Sequence, residues 1–172
     1  MSIVRSKAIA DKSSNSRQYL TFMLAGEEYG VDILRVQEIK GWDTVTRIPH
    51  TLDFVLGVIN LRGSVIPILD LRRRFGLDTT AFGPTTVVIV VKTAVEKEER
   101  IVGMVVDAVS EVYDVAADDT RPPPDVCGSV DTIFVHSLAA IDGKMLILLD
   151  IDKLIGHSVD AASTPGTGAA AA

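Results

Sequence analysis

An internal repeat is the feature that most limits what this chain can fold into. Residues 30–39 align with residues 103–112 at a constant offset of 73, and residues 61–71 align with residues 141–151 at an offset of 80. Glycine, glutamate, glycine, aspartate and glycine recur in the same order in both copies. Because chance matches in a valine-rich chain involve only apolar positions, the ordered polar and glycine matches indicate a duplicated structural unit.

Each copy is predicted to be a small barrel of about five strands. Val and Ile account for 37 of the 172 residues, and their β-branched side chains favour strands over helices. Short apolar runs alternate with turn signals, and residues 20–33 are typical of a hairpin. Each copy then ends as Asp, a basic-apolar turn and Gly, at 70–76 and 150–156, which predicts an N-cap and a C-terminal glycine around a brief helix.

The two copies differ at Pro67, whose equivalent in the second copy is Ile147. Proline has no N–H to donate to a strand ladder, so this part of the first copy is expected to be an edge or a bulge. An incomplete edge offers a place where a partner can dock, and a bulge that only curves the barrel explains the proline equally well.

Both ends of the chain are compositionally unlike its middle. Residues 1–17 are polar without periodicity, and residues 157–172 are mostly Ala, Gly, Ser and Thr, so both are expected to be disordered tails. The structured part is expected to span 18–156, with the first barrel at roughly 18–80 and the second at roughly 81–156.

Composition and motifs argue against nucleic-acid binding, metal binding and catalysis. The net charge of −6 disfavours nucleic-acid binding, and Cys127 is the only cysteine, so neither an internal disulfide nor a thiolate metal cluster is available. The three histidines show no ligand spacing, and no phosphate loop or nucleophile elbow is present. We therefore expect no enzymatic activity, no metal and no cofactor, in a soluble cytoplasmic protein that lacks a signal peptide or an apolar span.

Arg62 is unusual because it interrupts an otherwise apolar segment at 57–63. Such an arginine either reaches solvent or pairs with a carboxylate, and Glu38 is a plausible partner. Structural pairing and contact with a partner protein are both open for this residue.

Three motifs, at 27–39, 57–63 and 67–72, together resemble the CheW family of bacterial chemotaxis coupling proteins. The resemblance covers about 18–156 and implies an all-β fold of two tandem SH3-like five-stranded β-barrels, related by a pseudo-twofold, with short helical turns. It also implies a non-catalytic adaptor that couples chemoreceptors, the methyl-accepting chemotaxis proteins, to the regulatory domain of the histidine kinase CheA. Such an adaptor is cytoplasmic and reaches the membrane only indirectly, by recruitment to membrane-associated receptor arrays.

The same resemblance implies two sets of binding residues. A receptor tip is expected in the groove between the halves, at Ile33, Val36, Glu38, Arg62, Val87, Val109 and Val112. The kinase is expected to contact Ile39, Val45, Ile48 and Val65 in the first half, and Arg121 and Val126 in the second. The alternatives are a same-fold adaptor in a non-chemotaxis receptor–kinase pathway and a small-molecule-binding β-barrel.

Overall fold

The structure, a computed structural model, describes residues 16–78, 81–95, 97–124 and 132–156. Eleven strands make up most of this part of the chain. They are β1 (Ser16–Leu24), β2 (Glu27–Asp32), β3 (Val36–Gly41), β4 (Val55–Leu61), β5 (Ser64–Asp70), β6 (Val87–Val95), β7 (Glu98–Val106), β8 (Ala108–Ala116), β9 (Thr120–Arg121), β10 (Val135–Ile141) and β11 (Lys144–Leu149).

The helical elements are short. Single 3₁₀ turns cover Ile33–Arg35, Ala117–Asp119 and Thr132–Phe134, and a four-residue helix covers Leu71–Arg74. Residues 151–156 are also helical. No helix in the described part of the chain is long and apolar enough to cross a membrane.

The strands form two curled sheets, which confirms the predicted all-β class with two small β units. Sheet A has the order β8-β1-β2-β11-β10-β9, and sheet B has the order β3-β6-β7-β5-β4. Pairing is antiparallel except between β2 and β11 and between β5 and β7, which run parallel. Sheet B is further closed by a bridge between Thr46 and Val58.

The sheets do not follow the predicted boundary between residues 80 and 81. Sheet A combines β1 and β2 of the first copy with β8 to β11 of the second, whereas sheet B combines β3 to β5 with β6 and β7. The two copies therefore exchange hairpins, and each unit is completed by strands from the other copy. The repeat therefore relates these intertwined units and not consecutive halves of the chain.

Two equivalent glycines permit this exchange. Gly30 lies opposite Leu148 in the β2–β11 pair, and Gly103 lies opposite Ile68 in the β5–β7 pair. A Cβ on Gly30 would lie 2.8 Å from Leu148 Cδ2, and one on Gly103 would lie 2.5 Å from Ile68 Cδ1. Because Ile68 and Leu148 are themselves equivalent at the offset of 80, the same small-against-large contact recurs in both sheets.

Alternate residues of the central strand β6 pack into two different hydrophobic clusters. Ile89 and Val91 of β6 belong to a large cluster shared by the sheets, whereas Val88 and Val90 fill a second cluster inside sheet B. Sheet A has its own smaller interior cluster. Since both faces of such a strand are buried, its sequence is a continuous apolar run without polar alternation.

Pro67 is accommodated inside sheet B. Strand β5 as a whole lies between β7 and β4, and Pro67 pairs with Val58 on the β4 side. On the β7 side, however, pairing begins only at Ile68, so the missing N–H breaks no ladder bond there. In the other sheet the equivalent Ile147 does pair, with Tyr29.

The predicted caps are present at the ends of β5 and β11. The Asp70 side chain accepts a hydrogen bond from the Arg72 N–H at 3.0 Å, and that of Asp150 accepts one from the Lys153 N–H at 3.1 Å. Gly76 follows the first of these helical turns with φ of 73°, as a C-terminal glycine requires.

Candidate functional site

The five apolar residues expected at the receptor groove share one environment. Each is half-buried and packs on the margin of the core cluster that the two sheets share. They are Ile33, Val36, Val87, Val109 and Val112. Since their outer surfaces remain in contact with solvent, this margin offers apolar area that a partner could cover.

Three of the apolar groove residues lie on the outermost strand of a sheet. The other two do not, because Val87 begins the inner strand β6 and Ile33 lies on the 3₁₀ turn before β3. Val36 begins β3 at the edge of sheet B, and Val109 and Val112 lie on β8 at the edge of sheet A. Val36 and Val109 are equivalent at the offset of 73, so the repeat places the same residue type on both edges. An edge strand has one unpaired side, which leaves its side chains more accessible than those of inner strands.

Arg62 and Glu38 form an ion pair, one of the two arrangements that the sequence left open for this arginine. Arg62 Nη1 donates to Glu38 Oε1 at 2.5 Å, and the two side chains are 76% and 24% exposed. Arg62 has φ of 51° and precedes Gly63 in the tight turn between β4 and β5. The turn holds the arginine beside β3 while most of its surface stays free for another contact.

Three residues expected to contact the kinase are exposed apolar side chains. Ile39 is 44% exposed, Ile48 43% and Val65 66%. Val45 is half-buried against the interior cluster of sheet B. All four lie on sheet B or on the 42–54 connection that closes it, so they share one unit of the molecule.

The remaining two kinase residues are placed elsewhere. Arg121 is exposed on β9, at the outer edge of sheet A. Val126 lies outside the described residues. The structure therefore gathers the first-half residues on one unit and puts Arg121 on the other.

Several exposed apolar side chains were not predicted. Leu34 is 86% exposed on the 3₁₀ turn beside the groove, and Met145 is 57% exposed on β11. Met145 is equivalent to Val65 at the offset of 80, so the repeat could have identified it. Phe82, 37% exposed, packs against Trp42 with ring centroids 4.3 Å apart, a contact for which the sequence holds no signal.

The charges at equivalent positions of the two units differ. The counterparts of Glu38 and Arg62 in sheet A are Glu111 and Asp142, two acids that cannot form an ion pair. Lys144 instead lies 3.6 Å from Glu28, whose charge raises the pKa of the lysine. The β4–β5 turn therefore carries an arginine where the β10–β11 turn carries an aspartate, so the charge at this position has opposite sign in the two units.

Asp70 shows how burial competes with hydrogen bonding in this fold. Burial raises the pKa of this carboxyl, and the backbone N–H groups of Arg72 and Arg73 oppose that effect. Its contacts are those of a helix cap. Among the described residues no group of three or more His, Cys, Asp and Glu side chains is arranged to hold a metal ion.

The comparisons with known proteins agree with this architecture. A family model described as the CheW-like domain matches residues 18–159. The chain belongs to the CheW family. It is 46% identical over 139 residues to the chemotaxis protein CheW of Klebsiella aerogenes, with 81% of each chain covered.

Other CheW relatives give the same result. The chemotaxis protein CheW of Rhizobium meliloti is 37% identical over 142 residues, which cover 83% of this chain and 89% of the relative. The crystal structure of the scaffolding protein TtCheW from Thermoanaerobacter tengcongensis matches with a TM-score of 0.72 and 37% identity. That match covers 80% of this chain and 86% of the TtCheW chain.

Proposed function

We propose that this CheW-family protein is a non-catalytic adaptor that couples chemoreceptors to the histidine kinase CheA in chemotaxis signal transduction. The observation that carries the proposal is the pair of separate apolar surfaces on one intertwined β core: the half-buried margin between the sheets and the exposed face of sheet B. A scaffold needs two such surfaces so that two partners bind at once. The chemotaxis names of its relatives favour this pathway over another receptor–kinase pathway or a small-molecule-binding barrel.

The groove supports binding of the receptor's cytoplasmic tip. It is an apolar strip with a charged pair at its end, the composition expected where an amphipathic helix lays its apolar side in a groove. Arg62 is mostly exposed although it is paired with Glu38, so a receptor carboxylate can reach the guanidinium. Contact with receptors would place the protein in the cytoplasm at membrane-associated receptor arrays.

The face of sheet B supports binding of the kinase's regulatory domain. Ile39, Ile48 and Val65 expose apolar surface there, and exposed apolar residues gathered on one face mark interaction sites. Arg121 on the other unit supports a second, smaller contact. No covalent chemistry is required of either surface, because the adaptor acts by holding its partners in a fixed relative position.

A pair of matched variants tests the groove. Arg62→Asp should weaken co-sedimentation with a receptor signalling fragment about tenfold, as expected for losing roughly 1.4 kcal/mol of interface contact. Asp142→Arg is the control, because Asp142 occupies the equivalent turn of sheet A with φ of 52°. If a folded Arg62→Asp protein assembles like the wild type, the groove assignment is wrong.

A second matched pair tests the kinase face. Val65→Asp should lower the affinity for the regulatory domain of CheA by about tenfold while receptor binding is retained. Met145→Asp places the same change at the equivalent position of sheet A and should leave kinase affinity unchanged. Equal losses in both variants, or no loss in either, would exclude sheet B as the kinase surface.

A further inference from the structure

An ion pair between Arg72 and Asp107, here called a clamp, joins the two sheets where the chain enters β8. Arg72 donates two parallel hydrogen bonds to Asp107, from Nε to Oδ1 at 2.8 Å and from Nη2 to Oδ2 at 2.5 Å. The Ala25 N–H in the β1–β2 turn donates to the same carboxylate at 2.9 Å. The Arg72 side chain is 14% exposed and that of Asp107 33%, so this bidentate pair is partly shielded from the solvent that weakens surface ion pairs.

A second clamp joins the sheets beside β3. Arg35 Nη2 donates to Asp152 Oδ2 at 2.8 Å. The other oxygen of Asp152 accepts from the Thr93 hydroxyl at 2.5 Å and from the Ala94 N–H at 3.1 Å, both on β6. Here the arginine comes from the 3₁₀ turn and the aspartate from the helical residues that follow β11.

The two clamps are related by the repeat with their charges reversed. Arg72 and Asp152 are equivalent at the offset of 80, and Asp107 is equivalent to Leu34, the neighbour of Arg35. The helical turn thus supplies the cation in one clamp and the anion in the other. An ion pair therefore links the two sheets at both places, although its polarity is inverted.

Both clamps lie where the chain passes from one sheet to the other. In the described part of the chain the strands change sheet twice, between β2 and β3 at residues 33–35 and between β7 and β8 at Asp107. The groove residue Ile33 begins the first crossing and Val36 follows it, and Val109 follows the second crossing. Each clamp therefore fixes the connection from which one wall of the groove extends.

We propose that the Arg72–Asp107 and Arg35–Asp152 clamps are positioning devices that set the separation of β3 and β8 and thereby the affinity of the groove for a receptor helix. The proposal rests on the groove function proposed above. Loss of a clamp leaves the apolar groove residues in place but lets the two walls move relative to each other. Binding then has to order the walls, which costs affinity.

The first test measures the separation of the groove walls without any receptor. Spin labels on Gln37→Cys and Ser110→Cys, which are equivalent positions of β3 and β8, report the distance across the groove in a background where Cys127 is replaced by Ala. Arg72→Met removes the charge at similar length and should broaden or lengthen this distance distribution. Arg72→Lys keeps the charge and should give an intermediate result.

The second test measures receptor-fragment affinity in the same variants. Arg72→Met should weaken binding about fivefold or more, within the range of typical coupling between sites, and Arg72→Lys should recover part of the loss. Arg100→Met is the control, because Arg100 and Glu98 form an exposed pair on the β7 strand at 3.9 Å. If Arg72→Met does not fold, Asp152→Asn, at a more exposed clamp, takes its place.

The outcomes separate this proposal from the proposed function. An unchanged distance distribution in folded Arg72→Met overturns the clamp proposal, whatever the affinity. A broadened distribution with wild-type affinity overturns the link between the clamps and binding. If the wild-type protein itself does not bind receptor fragments, the proposed function fails, and the distance measurement alone then decides whether the clamps position the walls.

Discussion

Replacing Gly57 by alanine should destabilise the protein more than the same replacement at Gly41 or Gly63. At those two glycines an added Cβ would meet no atom within 4 Å. Gly57 has φ of 152°, and an added Cβ would lie 2.3 Å from the carbonyl oxygen of Thr46. Thr46 exchanges two backbone hydrogen bonds of 2.9 Å with Val58. Because the obstructing atom is backbone, relief requires the 42–54 connection to move away from β4.

The magnitude follows from two costs. A left-handed backbone conformation costs a non-glycine residue roughly 1–2 kcal/mol, and losing two backbone hydrogen bonds costs about 1 kcal/mol each. Gly57→Ala should therefore lower the free energy of unfolding by about 3–4 kcal/mol. Gly63→Ala, with φ of 89° and no atom within 4 Å of the added Cβ, should cost only the conformational part, about 1 kcal/mol. Gly41 has neither a positive φ nor an atom within 4 Å of an added Cβ, so Gly41→Ala should leave the free energy of unfolding nearly unchanged.

Urea denaturation of the three variants, followed by far-ultraviolet circular dichroism, measures these differences. Gly57→Ala should also weaken kinase binding, because the displaced connection carries Val45 and Ile48. The reasoning is refuted if Gly57→Ala and Gly63→Ala have the same free energy of unfolding within about 0.5 kcal/mol, the usual scatter of surface substitutions.

Two further predictions concern stability. The Arg74 guanidinium lies 4.9 Å from the ring centre of Phe54 and 4.3 Å from that of Phe134, so Arg74→Gln should lower the free energy of unfolding by about 1 kcal/mol; an unchanged urea midpoint would contradict this. The hydrogen-bonded guanidinium of Arg72 lowers the pKa of Asp107. A carboxyl whose folded pKa is depressed stabilises the fold above its unfolded pKa, and that stability is lost as the pH falls through the folded value. Stability should therefore decrease below about pH 4, and Asp107→Asn should flatten this decrease in an acid titration of the thermal midpoint.

The duplication could be predicted from the sequence, but the exchange of hairpins between the copies could not. The offsets of 73 and 80 identify which residues are equivalent, and they are the same whether a strand pairs within its own copy or with the other. The choice is made by long-range parallel pairs such as Gly30 with Leu148 and Gly103 with Ile68. Their geometry depends on side-chain volume across the sheet, which no local pattern encodes.

Some features of the candidate site could be predicted from the sequence and others could not, for a similar reason. The pairing of Arg62 with Glu38 could be foreseen as one of two arrangements, because an arginine within an apolar segment either reaches solvent or pairs with a carboxylate. The exposure of Leu34 could not be predicted, because an apolar residue in a turn is buried or exposed according to the packing of other strands. Met145 could have been identified, because it is equivalent to Val65 at the offset of 80. The two arginine–aspartate clamps could not be predicted either. Each joins residues more than 30 positions apart, and a charged side chain gives no sign in the sequence of which partner it will meet.

The intertwined arrangement bears on how a scaffold of this kind can carry a signal. Each sheet is built from both copies, and the core cluster at the groove includes Ile89 and Met104 of sheet B as well as Phe22 of sheet A. A receptor bound at the proposed groove would therefore act on a core that both sheets share. Since close-packed interiors transmit strain, movement at the proposed groove should reach the proposed kinase face of sheet B through this packing and through the clamp at Arg35. Two independent barrels joined by a linker would have no such route.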